Sequence, residues 1–128
     1  MKTLIISKFI PKKIESLNKF INRRGRSGNY AYKKYRNAWF IAIGYIMRTN
    51  QEIVDDYRYV EIVRYCKRKI RDYENLCGGG KPLPDGLVKY GWLKDDSMKW
   101  AKIDYTQELI GKSGHEEGTQ ISIYKLDK

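Results

Sequence analysis

The hydrophobic pattern of the chain has two periods. Apolar and polar residues alternate in four short stretches, and such alternation places successive side chains on opposite faces of a strand. The last two stretches are predicted to form a terminal strand pair joined by the loop Gly111-Lys112-Ser113-Gly114. The four predicted β-strands cover residues 1–10, 57–66, 99–106 and 119–125.

The first two strands differ in how their faces are built. The first has apolar residues on both faces, so we expect both faces to be covered. The second has one mainly apolar face and one mixed face. In the first strand, one face has Leu4, Ile6 and Ile10, and the other has Ile5 and Phe9. In the second strand, one face has Val60, Ile62 and Cys66, and the other has Tyr59, Glu61 and Val63.

Two other segments are predicted to be helices. Over about residues 30–48, apolar side chains recur every three to four positions with basic residues between them, which is typical of an amphipathic helix. Residues 81–91 favour a short helix that begins at Pro82 and ends at Gly91. The apolar stripe of the first helix, which we interpret as core, is Tyr35, Trp39, Ala42, Ile43 and Ile46.

These elements predict a single small α/β (α+β) domain over residues 1–128, because a chain of 128 residues suits one hydrophobic core. The predicted order is β-α-β-α-β-β, with a mixed sheet of about four strands packed against two helices. Residues 11–29 show neither period and are strongly basic. We interpret them as a mobile basic arm.

The formal net charge of +11 favours polyanionic partners. Residues 1–71 carry +13 and residues 72–128 carry −2, so a basic half adjoins a half rich in carboxylates, as a metal-dependent nuclease requires. No apolar stretch reaches the roughly 20 residues that cross a bilayer, and no signal peptide is recognisable. We therefore expect a cytoplasmic protein with no membrane partner. Cys66, Cys77 and His115 cannot supply four zinc ligands, so free thiols are expected.

Acidic residues and one lysine are concentrated between Arg71 and Ser97. If Asp72 and Glu74 lie in an extended segment, their side chains point to the same face and can reach one ion. Mg²⁺ takes a few carboxylate oxygens and leaves its other positions to water and phosphate, so Asp95 or Asp96 would complete a site. Acids at this spacing also suit turns and helix N-caps, and spacing alone leaves both interpretations open.

The wider pattern resembles the signature of the RusA-like family of Holliday-junction resolvases, found in bacteria and prophages. That signature is roughly D-x-D-N-L, a lysine, D-x-L and then D-D. The resemblance covers residues 57–125 well and the preceding residues more weakly. The matching segments are Asp72-Tyr73-Glu74-Asn75-Leu76, Lys81, Asp85-Gly86-Leu87 and Asp95-Asp96-Ser97.

The resemblance implies a magnesium-dependent endodeoxyribonuclease, with Mn²⁺ as a substitute, that resolves four-way junctions or other branched DNA. It implies a homodimer in the cytoplasm of a bacterial host, encoded by the bacterium or by a phage. The implied catalytic residues are Asp72, Glu74, Lys81 and Asp96, the implied metal ligands are Asp72, Glu74, Asp95 and Asp96, and Asn75 and Asp85 would shape the site.

The chain departs from the family pattern at two places. Glu74 stands where the family has Asp, which lengthens the carboxylate by one methylene and alters the geometry offered to a metal. Cys77-Gly78-Gly79-Gly80 is interpreted as an inserted flexible turn before Lys81.

Basic residues are expected to neutralise DNA phosphates without reading bases. They fall in the arm and directly after the second strand. The predicted DNA-binding residues are Lys19, Arg23, Arg24, Arg26, Lys67, Arg68, Lys69 and Arg71.

Other functions also fit parts of the pattern. The Glu74 substitution is compatible with a catalytically weak or inactive DNA-binding or inhibitory protein on the same fold. The charge alone would suit a small regulator whose helix at residues 30–48 reads the major groove. A nucleotide cofactor is not expected, because Pro82 follows Lys81 where a P-loop has its magnesium-binding hydroxyl.

Overall fold

In the computed structural model, four strands form one mixed β-sheet and the helices build a hydrophobic core against it. The structure describes residues 2–21, 26–111 and 116–126. Within these ranges, no helix has both the length and the apolar character needed to cross a membrane. The elements are β1 (Lys2–Ile10), α1 (Asn18–Ile21), α2 (Arg26–Ile46), β2 (Arg58–Cys66), α3 (Tyr73–Gly80), α4 (Pro82–Lys89), β3 (Ala101–Leu109) and β4 (Gly118–Leu126).

The predicted fold class, a small α+β domain with a four-stranded mixed sheet, is confirmed. Each predicted strand is present within three residues of its expected bounds, and both predicted helices correspond to observed ones, α2 and α4. The described residues contain two further helices, the single-turn α1 and the two-turn α3, so the expected order of elements is incomplete.

The sheet has the strand order β1-β4-β2-β3. β4 is antiparallel to both β1 and β2, whereas β2 and β3 are parallel, with Ile62 opposite Tyr105. The predicted pairing of the last two strands with each other is wrong, because β2 lies between them. A parallel pair needs a crossover connection rather than a hairpin, and here the crossover contains α3 and α4.

The core lies between α2, α4 and one face of the sheet. Every second residue of β2 from Val60 to Cys66 is buried, so the predicted apolar face is confirmed, and it also contains Arg64. The helical stripe is likewise confirmed as core, since Trp39 and Ile43 are fully buried. Both cysteines are free thiols.

β1 is an edge strand with little cover. Leu4, Ile5 and Phe9 all remain substantially exposed, and a bulge interrupts the pairing between Leu4 and Ile6. The prediction that both faces of this strand are covered is therefore wrong. An edge strand bonds to a neighbour on one side only, and apolar residues on both faces do not by themselves supply a second layer.

The segment after β1 is packed rather than mobile. Ile14 is fully buried, and the ring of Phe20 lies 5.5 Å from that of Tyr32 and 4.9 Å from that of Tyr35, centroid to centroid. The interpretation of residues 11–29 as a mobile arm is thus wrong for residues 11–21, because apolar side chains among the basic ones reach the core. Residues 22–25, which include the predicted DNA ligands Arg23 and Arg24, lie outside the described residues.

The glycines before Lys81 belong to α3 and are required by close packing. A Cβ on Gly79 would lie 1.6 Å from the carbonyl oxygen of Glu15. The Tyr35 hydroxyl bridges the same two segments, since it accepts from the Glu15 N–H at 3.0 Å and donates to the Gly79 carbonyl at 2.6 Å. The interpretation of this run as a flexible turn is wrong, because glycine here allows two backbones to approach.

Gly79→Ala is expected to destabilise the protein by about 2–3 kcal/mol or more, because the backbone at Glu15 has to move. Gly111→Ala is the matched control, since its Cβ would meet nothing within 4 Å. Urea unfolding followed by circular dichroism measures both. Equal unfolding midpoints for the two variants would contradict the close-packing argument.

Candidate functional site

Lys81 lies at the junction of α3 and α4 and holds two carboxylates. Its backbone is helical (φ −53°, ψ −36°), so the two helices follow each other directly. The Lys81 ammonium donates to Asp96 and lies 3.1 Å from Asp85 Oδ1, one turn further along α4. Residues 15 positions apart in the sequence are thereby brought together at one cationic nitrogen.

Hydrogen bonds within the loop hold Asp96 in its position. Asp95 Oδ1 accepts from the Asp96 N–H at 2.9 Å, and the Ser97 carbonyl accepts from Trp100 and Ala101. At the start of the loop, Gly91 has φ +80°, a conformation that favours glycine. Asp95 itself is exposed and orients the backbone of its neighbour.

Charges in this cluster reinforce each other. The hydrogen bond from Lys81 lowers the pKa of Asp96, and this effect outweighs the partial burial that would raise it. Partial burial lowers the pKa of Lys81, but hydrogen bonds to Asp96 and Asp85 outweigh that effect, so its pKa is raised above the ordinary value. Both groups are therefore charged at neutral pH.

Two tyrosines lie beside the Lys81 cluster. Tyr105 of β3 donates to the Gly80 carbonyl at 3.2 Å, and its burial, together with the negative charges of Asp85 and Asp96, raises its pKa. Burial and the charge of Asp85 raise the pKa of Tyr32 on α2 in the same way. Both hydroxyls therefore remain protonated at neutral pH, and that of Tyr105 is already used as a donor to Gly80.

Asp72 and Glu74 lie at the opposite end of α3 from Lys81. Asp72 is the N-cap of this helix, with Oδ1 accepting from the Glu74 N–H at 2.9 Å and Oδ2 from Asn75 Nδ2 at 3.4 Å. The expectation of an extended segment with both carboxylates on one face is therefore wrong. Nine residues of helical rise place Asp72 about 13 Å from Lys81 along the helix.

The four predicted metal ligands are not assembled in this structure. In the described part of the chain, no three or more His, Cys, Asp or Glu side chains are grouped so that they could hold a metal ion. Asp72 and Glu74 are exposed, Asp95 is exposed, and Asp96 is bound to Lys81. Asp85, expected only to shape the site, contacts Lys81 directly, and Asn75 contacts the capping Asp72.

A cationic groove of about 390 Å³ adjoins the Asp72 end of α3. Three of the predicted DNA-binding residues, Arg68, Lys69 and Arg71, line it, together with the acids Glu15 and Asp72. Of the remaining predicted DNA ligands, Lys67 is exposed, Lys19 is exposed and lies 3.8 Å from Glu15, and Arg26 begins α2.

The groove also contains a residue that sequence reasoning missed. Arg64 of β2 is only 4% exposed and lines the groove. A signal for it was present, because Arg64 occupies the apolar face of the alternating strand, where an unpaired charge is unfavourable. Tyr105 was also missed, and nothing in its spacing distinguishes it from an ordinary core tyrosine.

Two comparisons, with family models and with curated proteins, give no match. The chain matches no family model, and no curated protein is similar enough to match it. The resemblance to RusA-like resolvases therefore stays a prediction from the motif.

Lys81→Gln is expected to raise the pKa of Asp96 toward its ordinary value of 3.8. Because the folded-state pKa is lowered, the pair stabilises the protein above that value and loses its effect as pH falls through the lowered pKa. The loss of stability should stay below about 1 kcal/mol, since half the Lys81 side chain is exposed. Carboxyl carbon NMR titration measures the shift.

Lys94→Gln is the matched control, because Lys94 holds Asp55 in a comparable surface pair at 2.7 Å and lowers its pKa. This variant should raise the pKa of Asp55 and leave that of Asp96 unchanged. An unaltered Asp96 titration in Lys81→Gln would show that the pair does not form in solution.

Proposed function

We propose that the protein is a magnesium-dependent, structure-selective endodeoxyribonuclease that cuts branched DNA, including four-way junctions. The observation that carries the proposal is the contact of Lys81 with both Asp85 and Asp96. Three residues matched to the RusA-like motif are therefore in contact with each other. They lie at one end of α3, and the cationic groove lies at the other end. Nothing in the packing of the core requires these charges to meet there, because the Lys81 side chain is half exposed and the two carboxylates are only partly buried.

Lys81 supplies the positive charge that phosphodiester cleavage needs. Negative charge develops on the phosphoryl oxygens in the transition state, and a positioned cation stabilises that charge most when it need not reorganise. The carboxylates of Asp85 and Asp96 fix the position of the ammonium, and the raised pKa of Lys81 keeps it protonated. The Tyr105 hydroxyl, held against the Gly80 carbonyl, supports the backbone next to Lys81.

Asp85 and Asp96 are the two carboxylates of the motif that converge, and an Mg²⁺ bound by them would share them with the Lys81 ammonium. Mg²⁺ commonly takes one or two carboxylates and completes its shell with water and substrate phosphate. When bound, the ion would lower the pKa of a water molecule and offset charge on the phosphate, and Mn²⁺ is expected to replace it. Asp72, Glu74 and Asp95 stay predicted ligands, which the variants below test.

The cationic groove would hold the phosphate backbone. Arg68, Lys69 and Arg71 contact phosphates without distinguishing bases, so selectivity would come from the shape of the branch. Paired cuts in opposing strands require two active sites, and we therefore propose a homodimer. We also propose that the protein acts in the cytoplasm of a bacterial host and that a bacterial or phage gene encodes it.

A second candidate is a DNA-binding or inhibitory protein that does not cut. The observation that favours it is the separation of Asp72 from Asp96, with Lys81 between Asp85 and Asp96 where a metal would otherwise bind. Such a protein would keep the cationic groove and bind branched DNA with little response to magnesium.

Wild type is expected to make symmetric cuts in a labelled immobile four-way junction with Mg²⁺, and none with EDTA or in a linear duplex of matched sequence. Asp96→Asn and Lys81→Gln should lower the cleavage rate by roughly 100-fold or more, the usual effect of removing one transition-state contact. Asp72→Asn should lower it only if Asp72 binds the metal. Asp55→Asn, in the comparable pair with Lys94, is the matched control and should cut normally.

Junction binding must be measured with the same variants. If wild type, Asp72→Asn and Asp96→Asn all bind the junction equally tightly and none cuts it, the nuclease proposal fails. The non-catalytic binding protein would then be the correct function.

Arg68→Gln is expected to reduce the salt dependence of DNA binding. Each phosphate contact contributes about 0.9 to the slope of log affinity against log salt, so the slope should fall by about one unit. Fluorescence anisotropy over a KCl series measures it. The control is Arg58→Gln, because Arg58 is ion-paired with Asp56 at the other end of β2. An unchanged slope in Arg68→Gln would remove Arg68 from the interface.

A further inference from the structure

Arg64 is a buried charge without a carboxylate partner. Its Nε donates to the Ile14 carbonyl at 2.7 Å, and its Nη1 donates to the Arg68 carbonyl at 3.0 Å and to Gln107 Oε1 at 2.9 Å. All three acceptors are neutral, and Nη2 takes part in none of these bonds. Among the described residues, no carboxylate lies within ion-pair distance of Arg64.

The surrounding groove has an excess of positive charge. Arg68, Lys69 and Arg71 line it with Arg64, and in the described part of the chain none of them forms an ion pair. Lys13 also lines the groove but is paired with Glu117 at 2.9 Å. The acids in the lining are already engaged, since Glu15 lies near Lys19 and Asp72 caps α3.

We propose that the Arg64 groove is a built phosphate site that binds one phosphodiester group of the DNA strand, with Arg64 at its floor and Arg68 and Arg71 at its rim. The proposal rests on the proposed DNA-cutting function and adds a specific position to it. An anion gains the most binding free energy from a buried guanidinium whose other acceptors are neutral. The reason is that the arginine has already lost its hydration on folding, so binding does not have to remove it.

The site is held in place before any ligand arrives. Gln107 of β3 accepts from both Arg64 Nη1 and the Ile70 N–H at 2.9 Å, and its Nε2 donates to the Ile70 carbonyl at 2.9 Å. These bonds fix residues 67–71, which carry the rim cations, to the floor of the groove. Preorganised cations lose little freedom on binding and so distinguish a built site from a diffuse basic surface.

The distance to Lys81 defines which phosphate is held. The groove and Lys81 lie at opposite ends of α3, about 13 Å apart along the helix. Because phosphates follow a helical path around the duplex, this separation spans only a few nucleotides, and the phosphate bound in the groove would not be the one cut beside Lys81. The groove would thus set the register of cutting by contact with the backbone alone.

Inorganic phosphate, titrated at constant ionic strength with chloride, is the first probe. NMR of the side-chain Nε–H should show a saturable shift at Arg64 and at the Ile70 amide. The Arg58 Nε–H, which is bonded to Asp56 at 2.7 Å on the same strand, is the internal control and should not shift. Arg68→Gln, an exposed change that should leave the fold intact, should weaken phosphate binding several-fold.

The second measurement uses junction DNA in which single phosphates are replaced by neutral methylphosphonates. One position within a few nucleotides of the cut, other than the scissile phosphate itself, should weaken binding about tenfold in wild type. The same replacement should have little further effect in Arg64→Lys, which keeps the charge but loses the planar fork. Arg64→Lys is used only if its thermal midpoint shows that it folds, and Arg68→Gln serves in its place otherwise.

The outcomes separate this inference from the proposed function. Tight junction binding with no saturable phosphate shift at Arg64, or with equal effects at every methylphosphonate, overturns the phosphate site and leaves the proposed function intact. A saturable shift without any junction binding overturns DNA as the occupant, together with the proposed function.

Discussion

The parallel pairing of β2 with β3 is the constraint on which the candidate site depends. Parallel strands cannot be joined by a tight turn, so the chain must leave the end of β2, pass over the sheet and return to the start of β3. The connecting segment, residues 67–100, contains α3, α4 and nearly every residue with candidate chemistry. The crossover thus carries a cationic segment at its beginning, Lys81 at its middle and Asp96 near its end.

Close packing keeps the crossover in place. Gly79 lies directly against the Glu15 carbonyl, and Tyr35 ties the same two segments together through its hydroxyl. Burial raises the pKa of Tyr35 to about 12, so this hydroxyl stays a donor at any physiological pH. α3 therefore cannot shift without breaking contacts to the segment after β1, and the two ends of the site keep their separation.

Much of the fold and part of the site could be predicted from the sequence. Period-two alternation located the strands, helical spacing located α2, and Pro82 and Gly91 as start and stop signals located α4, because all these signals depend on residues close in the chain. The motif also selected Lys81 and Asp96, which the structure joins. The prediction failed at α3, where the local pattern is not informative. This segment was interpreted as an extended segment and a flexible turn, because its glycines are typical of neither a strand nor a helix. Only their contact with Glu15 explains them.

The sequence by itself determined the four strands, the helices α2 and α4, the buried faces of α2 and β2, and how positive the chain is, because these depend on composition and spacing. Only the tertiary structure decided which charges meet. Asp85 and Asp96 converge on Lys81, Asp72 is directed away as a helix cap, and Arg64 is buried beneath a cationic groove. The physical reason is that strand order and the crossover bring together residues far apart in the chain, and no local pattern records that pairing.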